Sequence, residues 1–202
     1  IAHGASDGPV LALLAGIHGY EYPPITALQA LRSEINPEEL QGTVIMVHVA
    51  NMPSFLGRTI YYSPADGKNL NRMFPGDSQG SLSERIAHQI TTEVIDRADY
   101  LIDLHSGDGN EALRPYVYMP VTGDAAFDKK IRGLAVAFGL DHIVMDTGPQ
   151  HASGPSLFTD QTALERGIPA ITTETGQSGS NDPYWSEMAL SGVWNVLRHL
   201  SM

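Results

Sequence analysis

Cysteine is absent from this sequence of 202 residues, basic residues are few, and no apolar run approaches the length of a membrane span. A chain without cysteine has neither a disulfide framework nor a thiolate site, which fits a reducing compartment, and we expect a cytoplasmic location. Lysine and arginine number 12 against 23 acidic residues, so the formal net charge is -11. Because such a surface repels nucleic acid and anionic lipid, we expect neither as a partner.

Six runs of apolar residues predict β-strands, and most of them are apolar on both faces, as in a sheet that helices cover on each side. The predicted strands are residues 10–15, 43–50, 100–104, 116–119, 142–145 and 170–173. The predicted helices are residues 24–35, 82–97, 125–138, 157–166 and 183–200. This alternation predicts an α/β fold, a three-layer α/β/α sandwich with a mixed, largely parallel central sheet, in one domain. Two long irregular segments, 51–80 and 148–156, remain, and loops of that length are usually functional.

A His-x-x-Glu pair lies where the first predicted strand ends, in the stretch G-I-H-G-Y-E-Y-P. His18 and Glu21 occupy the turn between this strand and a helix whose first turn contains proline. His105 ends another predicted strand, in L-I-D-L-H-S-G. Imidazole and carboxylate are ligands of zinc, and a catalytic site uses three of them while leaving a fourth position to water. His18, Glu21 and His105 are therefore predicted to bind one zinc ion.

Polar residues follow other predicted strands as well. Asn51 comes after the second strand, and Glu174 closes the sixth, directly before a Thr-Gly pair. Ligands of open α/β sheets bind beyond the carboxyl ends of the strands, so these residues are expected to converge with His18 and His105 at one edge of the sheet. A carboxylate at an apolar strand end suits a general base. Asp103 shares a strand face with His105 and is a candidate to orient its imidazole.

Four sequence blocks carry a resemblance to a known family. They read G-I-H-G-Y-E-Y-P, N-L-N-R-M-F-P-G, L-I-D-L-H-S-G and I-T-T-E-T-G, in this order. Through them nearly the whole chain resembles the succinylglutamate desuccinylase/aspartoacylase family, relatives of the zinc carboxypeptidases. The resemblance implies a zinc carboxypeptidase-like fold and a single zinc-hydrolase catalytic domain over residues 1–202. Family members commonly continue into a C-terminal β-rich domain, which we expect to lie outside this chain.

The resemblance also implies roles for individual residues. His18, Glu21 and His105 are expected to bind Zn²⁺, and Glu174 is expected to act as the general base. Of these, the general base is the group that separates an enzyme from a zinc-binding module without turnover. We therefore expect an enzyme, a zinc-dependent hydrolase of a carbon–nitrogen amide bond.

Two arginines complete the set of implied roles. Arg58 is expected to polarise the scissile carbonyl, and Asn71 with Arg72 to hold a carboxylate of the substrate. Guanidinium suits both tasks because it is always charged and can fork onto a carboxylate. In one departure from the family, Asn69 stands where Asp is frequent, and in another Tyr20 replaces a small polar or acidic residue.

These expectations describe a deacylase of an N-acyl amino acid that acts on a small-molecule carboxylate substrate. The alternatives are a metallocarboxypeptidase acting on a peptide C-terminus, and a zinc-binding module without turnover. Several properties stay open at this point: the acyl group, the amino acid, the divalent metal and the oligomeric state. Because the first residue is not methionine and no signal-peptide pattern precedes the first strand, we expect a fragment or a processed product.

Overall fold

A computed structural model describes residues 1–147 and 157–202, and the irregular segment 148–156 lies outside these described residues. The strands are β1 (Ala2–His3), β2 (Ser6–Ala15), β3 (Gln41–Val47), β4 (Tyr100–His105), β5 (Tyr116–Pro120), β6 (Ile143–Asp146) and β7 (Ala170–Glu174). The helices are α1 (Tyr22–Glu34), α2 (Met52–Gly57), α3 (Leu82–Glu93), α4 (Ala125–Phe138), α5 (Thr159–Leu164) and α6 (Pro183–His199). Short 3₁₀ turns occupy Leu70–Arg72 and Ile95–Arg97.

Within the described residues, all seven strands join one sheet in the order β1-β3-β2-β4-β7-β5-β6. The four central strands, β3, β2, β4 and β7, run parallel to one another. The β1 strand is antiparallel to β3, and β5 is antiparallel to β7 while pairing in parallel with β6. The prediction of a mixed, largely parallel sheet is therefore confirmed. The carboxyl ends of the four central strands meet at one edge of the sheet, together with the amino end of β5.

The β2 strand shows why the fold has three layers. Its side chains alternate between two cores, and those of Leu11, Leu13 and Ala15 pack with α1, α4 and α6. Ala12 and Leu14 point to the opposite face and pack with α3 and α5. All five are fully buried, because helices cover the sheet on both faces.

Several boundaries differ from the sequence prediction. The predicted strands correspond to β2 through β7, and the two-residue β1 was missed because two residues carry no periodicity. The predicted irregular segment 51–80 contains α2 and a 3₁₀ turn, and helix 82–97 ends at Glu93 before a second 3₁₀ turn. Short helices of this kind depend on caps rather than on an apolar stripe, so hydrophobic periodicity does not reveal them. Among the described helices, none combines the length and the apolar character that crossing a membrane requires.

Candidate active site

Three side chains with the character of metal ligands meet at the carboxyl edge of the sheet. His18 lies in the turn after β2, Glu21 is the residue before α1, and His105 ends β4. They are 8%, 2% and 3% exposed, and one ligand atom from each lies within 4.8 Å of the others. The structure thus brings together the three residues that the sequence predicts as the zinc ligands.

The turn that carries His18 depends on glycine. Gly16 adopts φ +69°, in the left-handed region that favours glycine. A side chain at Gly19 would place its Cβ 2.2 Å from the carbonyl oxygen of Ser54, closer than any real contact. The chain can therefore turn back beside α2 directly after β2, and this path presents His18 and Glu21 on the same side.

Glu21 lies between the two imidazoles. Its Oε1 is 2.6 Å from Nδ1 of His18, and its Oε2 is 2.9 Å from Nδ1 of His105. Burial alone would raise the pKa of Glu21, but the two histidines lower it to about 2. Among the described residues, Oε2 has no aligned hydrogen-bond donor despite its close approach to His105. A buried carboxylate oxygen that faces imidazole nitrogens without a hydrogen bond fits a site that a cation completes.

The outer nitrogen of each imidazole lies close to an oxygen atom, although His105 Nε2 forms no aligned hydrogen bond with a described residue. His105 Nε2 lies 2.9 Å from Oδ2 of Asp103, and His18 Nε2 lies 3.1 Å from Oδ1 of Asn69. Such neighbours orient the rings so that Nδ1 of each imidazole faces Glu21, where a metal would lie. Burial lowers the pKa of His105, but Asp103 and Glu21 outweigh it and raise that pKa well above its usual value. The pocket therefore favours positive charge, and its donor set fits a divalent cation.

Glu174 ends β7 beside this cluster. Its backbone pairs with His105 on β4 and with Tyr116 on β5. Burial raises the pKa of Glu174 to about 8, although His105 acts in the opposite direction. Its Oε2 has no hydrogen-bond partner among the described residues. Glu174 is thus a partly buried carboxyl group that lines the same cavity as the three ligand residues, where it can exchange protons beside them.

One cavity of about 280 Å³ joins these groups. Polar and aromatic side chains line it. The residues that line it are His18, Glu21, Tyr61, Asn69, Asn71, Arg72, His105, Glu111, Tyr116, Tyr118, Phe158, Thr172 and Glu174.

Asn71 and Arg72 reach this cavity from the 3₁₀ turn after the long loop. Arg72 donates to the carbonyl oxygen of Asn71 at 2.7 Å, and its guanidinium carbon lies 4.4 Å from the centre of the Phe158 ring. Asn71 Oδ1 accepts a hydrogen bond from the backbone of Thr159 at 3.2 Å. Arg72 makes no ion pair with any described residue, so its charge is available to a ligand.

The structure does not bring Arg58 or Asn51 to the cavity. Arg58 ends α2 in a left-handed conformation and lines a separate cavity beside Tyr22 and Phe55. Asn51 caps the start of α2, where its Oδ1 accepts from the backbone of Ser54 at 3.3 Å. Both positions are set by α2, the short helix that hydrophobic periodicity did not reveal. Asn51 has a structural role at the start of this helix.

Sequence reasoning missed six further lining residues: Tyr61, Glu111, Tyr116, Tyr118, Phe158 and Thr172. Tyr116 and Tyr118 stand two apart on β5 and so share one face of that strand, which enters the site at its beginning because it runs antiparallel to β7. Tyr61 lies edge-on to His18 with ring centres 6.0 Å apart, and its hydroxyl donates to Asn110 at 2.8 Å. Glu111 follows β4 in a short loop. The i, i+2 tyrosines were the one available signal, and reading it required the direction of β5.

Comparisons with known proteins identify the family of this chain. Residues 7–200 match the succinylglutamate desuccinylase/aspartoacylase catalytic domain. The N-alpha-acetyl-L-2,4-diaminobutyric acid deacetylase of Halomonas elongata is 37% identical over 198 residues, which make up 97% of this chain and 56% of that protein. An N-acyl amino acid deacylase is thus among its relatives.

Solved structures show the same fold. The succinylglutamate desuccinylase/aspartoacylase of Rhodobacter sphaeroides gives a TM-score of 0.87 at 31% identity, covering 97% of this chain and 57% of the other. The product-bound ectoine utilization protein EutE (DoeB) of Ruegeria pomeroyi gives 0.89 at 29% identity, covering 98% and 59%. This chain spans a little over half the length of these relatives. Since the catalytic-domain match extends over residues 7–200, the chain belongs to the succinylglutamate desuccinylase/aspartoacylase family.

Proposed function

We propose that residues 1–202 form the catalytic domain of a zinc-dependent amide hydrolase that removes the acyl group from an N-acyl amino acid. The observation that carries this proposal is the buried His18–Glu21–His105 cluster with the carboxyl group of Glu174 beside it in one cavity. Its relatives' activity on an N-acyl amino acid supports the reaction class. Because those relatives are longer, the activity of the whole protein is part of the proposal.

One Zn²⁺ per chain would be held by Nδ1 of His18, Nδ1 of His105 and the carboxylate of Glu21. When bound, zinc supplies Lewis acidity, which lowers the pKa of water and polarises an acyl carbonyl. The outer partners Asp103 and Asn69 keep both imidazoles turned towards that position.

Glu174 is the proposed general base. Its carboxylate takes the proton of the attacking water and returns it to the nitrogen of the departing amine, so no net proton is consumed by the protein. Burial raises the pKa of Glu174 to about 8; a divalent cation bound nearby would lower it towards neutrality, where a group can both accept and donate a proton.

Substrate binding is assigned to Arg72 and Asn71. Arg72, whose guanidinium has no ion pair within residues 1–147 and 157–202, is available to the α-carboxylate, and its contact with Phe158 holds the charge at the cavity. Arg58 lines a different cavity in this structure, and its role in polarising the acyl carbonyl stays a prediction.

The test combines metal analysis with an assay of amine release. We expect near-stoichiometric zinc after loading, and release of the free amine from N-acetyl amino acids that carry a free α-carboxylate. Peptides with a free carboxyl end form the second arm, because cleavage there would identify a metallocarboxypeptidase. Zinc binding without release from any substrate would contradict the proposed hydrolysis and favour a binding module.

A further inference from the structure

A row of three side chains crosses the sheet at the site. His105 on β4 pairs in register with Glu174 on β7, and Glu174 pairs in register with Tyr116 on β5. Partners in register point to the same face of a sheet, and all three side chains line the cavity. Glu174 therefore stands between His105 and Tyr116. The hydroxyl of Tyr116 takes no part in the chemistry described so far.

This hydroxyl is available to a ligand. Tyr116 is half-buried with Glu174 and His105 as charged neighbours, and its hydroxyl makes no hydrogen bond with any described residue. Burial, with Glu174 acting in the same direction, raises the pKa of Tyr116 to about 12, so the group keeps its proton at neutral pH. A protonated tyrosine hydroxyl can both donate and accept a hydrogen bond.

The other two tyrosines of the cavity face different groups. The hydroxyl of Tyr61 donates to Asn110 at 2.8 Å and also interacts with Glu111. Tyr118 pairs in register with Thr172, so it stands one row further from the carboxyl end of β7. Tyr116 is therefore the tyrosine that the sheet places beside the proposed general base.

The order of the row indicates which part of the substrate Tyr116 meets. In the proposed reaction the acyl oxygen lies at the ligand cluster, at the His105 end of the row. The amide nitrogen is bonded to the acyl carbon and must come within hydrogen-bond reach of Glu174, which returns a proton to it. We therefore expect the nitrogen on the side of Glu174 that faces Tyr116.

We propose that Tyr116 is a catalytic residue whose hydroxyl oxygen accepts a hydrogen bond from the amide N–H of the substrate. This inference rests on the proposed deacylation and adds a residue to it. With the N–H held by Tyr116, the lone pair that forms on nitrogen as the acyl carbon becomes tetrahedral faces Glu174. The proton of Glu174 goes to this lone pair, the C–N bond breaks, and the amine leaves with its original hydrogen and the new one.

The test compares an amide with an ester that differs from it in one group. N-acetyl-L-norvaline carries the N–H, and (S)-2-acetoxypentanoate carries an oxygen atom in its place. Tyr116→Phe removes the hydroxyl and keeps the ring. We expect kcat/KM of this variant to fall about tenfold on the amide, on the scale of one net hydrogen bond, and to stay within about twofold of the wild type on the ester.

Tyr184→Phe is the matched control, because Tyr184 is exposed on α6 and is not among the residues that line the cavity. Both variants should keep the zinc content and the Tm of the wild type. Equal losses on the amide and the ester in Tyr116→Phe would overturn the inference, because the hydroxyl would then act on the oxyanion or on the fold. Unchanged kinetics on both substrates would overturn it as well.

Calorimetry separates this inference from the proposed reaction. If neither substrate is cleaved, both can be titrated into the zinc-loaded protein without turnover. Binding of the amide about tenfold more tightly than the ester, with the difference lost in Tyr116→Phe, would mean that hydrolysis fails and the contact of Tyr116 with the N–H stands. Equal binding of the two would refute that contact too. If the amide is cleaved and Tyr116→Phe cleaves it as fast as the wild type, the role of Tyr116 is wrong and the reaction stands.

Discussion

Two halves of the site are built in different ways. His105, Asp103 and Glu174 form what we call the strand half, since β4 and β7 position them through backbone register. Asn69, Asn71 and Arg72 form the loop half, which stands on the segment between α2 and α3. In the strand half, neighbouring main chains set the spacing of His105 and Glu174. In the loop half, hydrogen bonds made by side chains must hold the residues in position.

The loop half shows how this is done. Asn69 Oδ1 accepts from the backbone of Asn71 at 2.9 Å and also contacts His18 Nε2. Further back in the loop, Asp66 accepts from both the backbone and the hydroxyl of Ser83 at the start of α3, at 2.7 and 2.8 Å. Each of these hydrogen bonds can break without the others. The register of a buried strand cannot change without breaking many backbone hydrogen bonds at once. We therefore expect larger and more uniform effects from changes in the strand half.

The largest expected effect is the loss of metal. His105→Ala and His18→Ala each delete one of three protein ligands, so both should lose most bound zinc and all measurable turnover. Metal analysis after gel filtration is the measurement. Near-stoichiometric zinc in either variant would refute the ligand assignment, and His88→Ala, on α3, serves as a control that should keep its zinc.

Glu174→Gln should keep the metal and lose turnover. The amide is nearly isosteric with the carboxyl group but cannot take a proton from water at neutral pH, and removal of a general base typically costs a factor of about 10² to 10⁴. The expected result is a loss in kcat with zinc content unchanged. Wild-type kcat in this variant would require another base.

A swap of the two outer partners tests the comparison directly. Asp103→Asn replaces the carboxylate behind His105 by an amide, and Asn69→Asp makes the reverse change behind His18. We expect the first to weaken zinc binding by a factor of about 10 to 100, as for other partners of this kind. The second should strengthen it or leave it unchanged, because a carboxylate makes the imidazole a better donor. Competition with a chelator measures both, and equal weakening by both would mean that charge behind the imidazole has no influence here.

Arg72→Ala is expected to lower kcat/KM by about thirtyfold, a loss carried mainly by KM, since one partner of a charge pair is removed. An N-acyl amino acid amide, which lacks the carboxylate, should be a poor substrate of the wild type and should lose little more in the variant. Arg58→Ala tests the predicted role of that residue in the same assay. A similar loss in Arg58→Ala would place that residue at the reaction after all.

The strand half and the fold were predictable because buried parallel strands leave continuous apolar runs, and polar residues at their ends stand out. The mixed, largely parallel sheet and the family were predicted correctly. His18, Glu21, His105 and Glu174 do line one cavity. Site residues whose position depends on the direction of a strand or on a short helix were not predictable. The tyrosines of β5 needed the antiparallel orientation of that strand, and the position of Arg58 needed α2. The cytoplasmic location remains a prediction.

Thr159 belongs to neither half and contacts both. Fully buried at the start of α5, it donates its hydroxyl to Asp103 Oδ2 and its backbone N–H to Asn71 Oδ1. The partner of a ligand imidazole and a substrate-binding amide therefore share one residue. If occupation of the carboxylate site changes the affinity for metal through Thr159, the metal must change the affinity for the carboxylate by the same factor, because coupling between two binding equilibria is reciprocal. A titration of one ligand in the presence of the other would then give the same coupling free energy from either side.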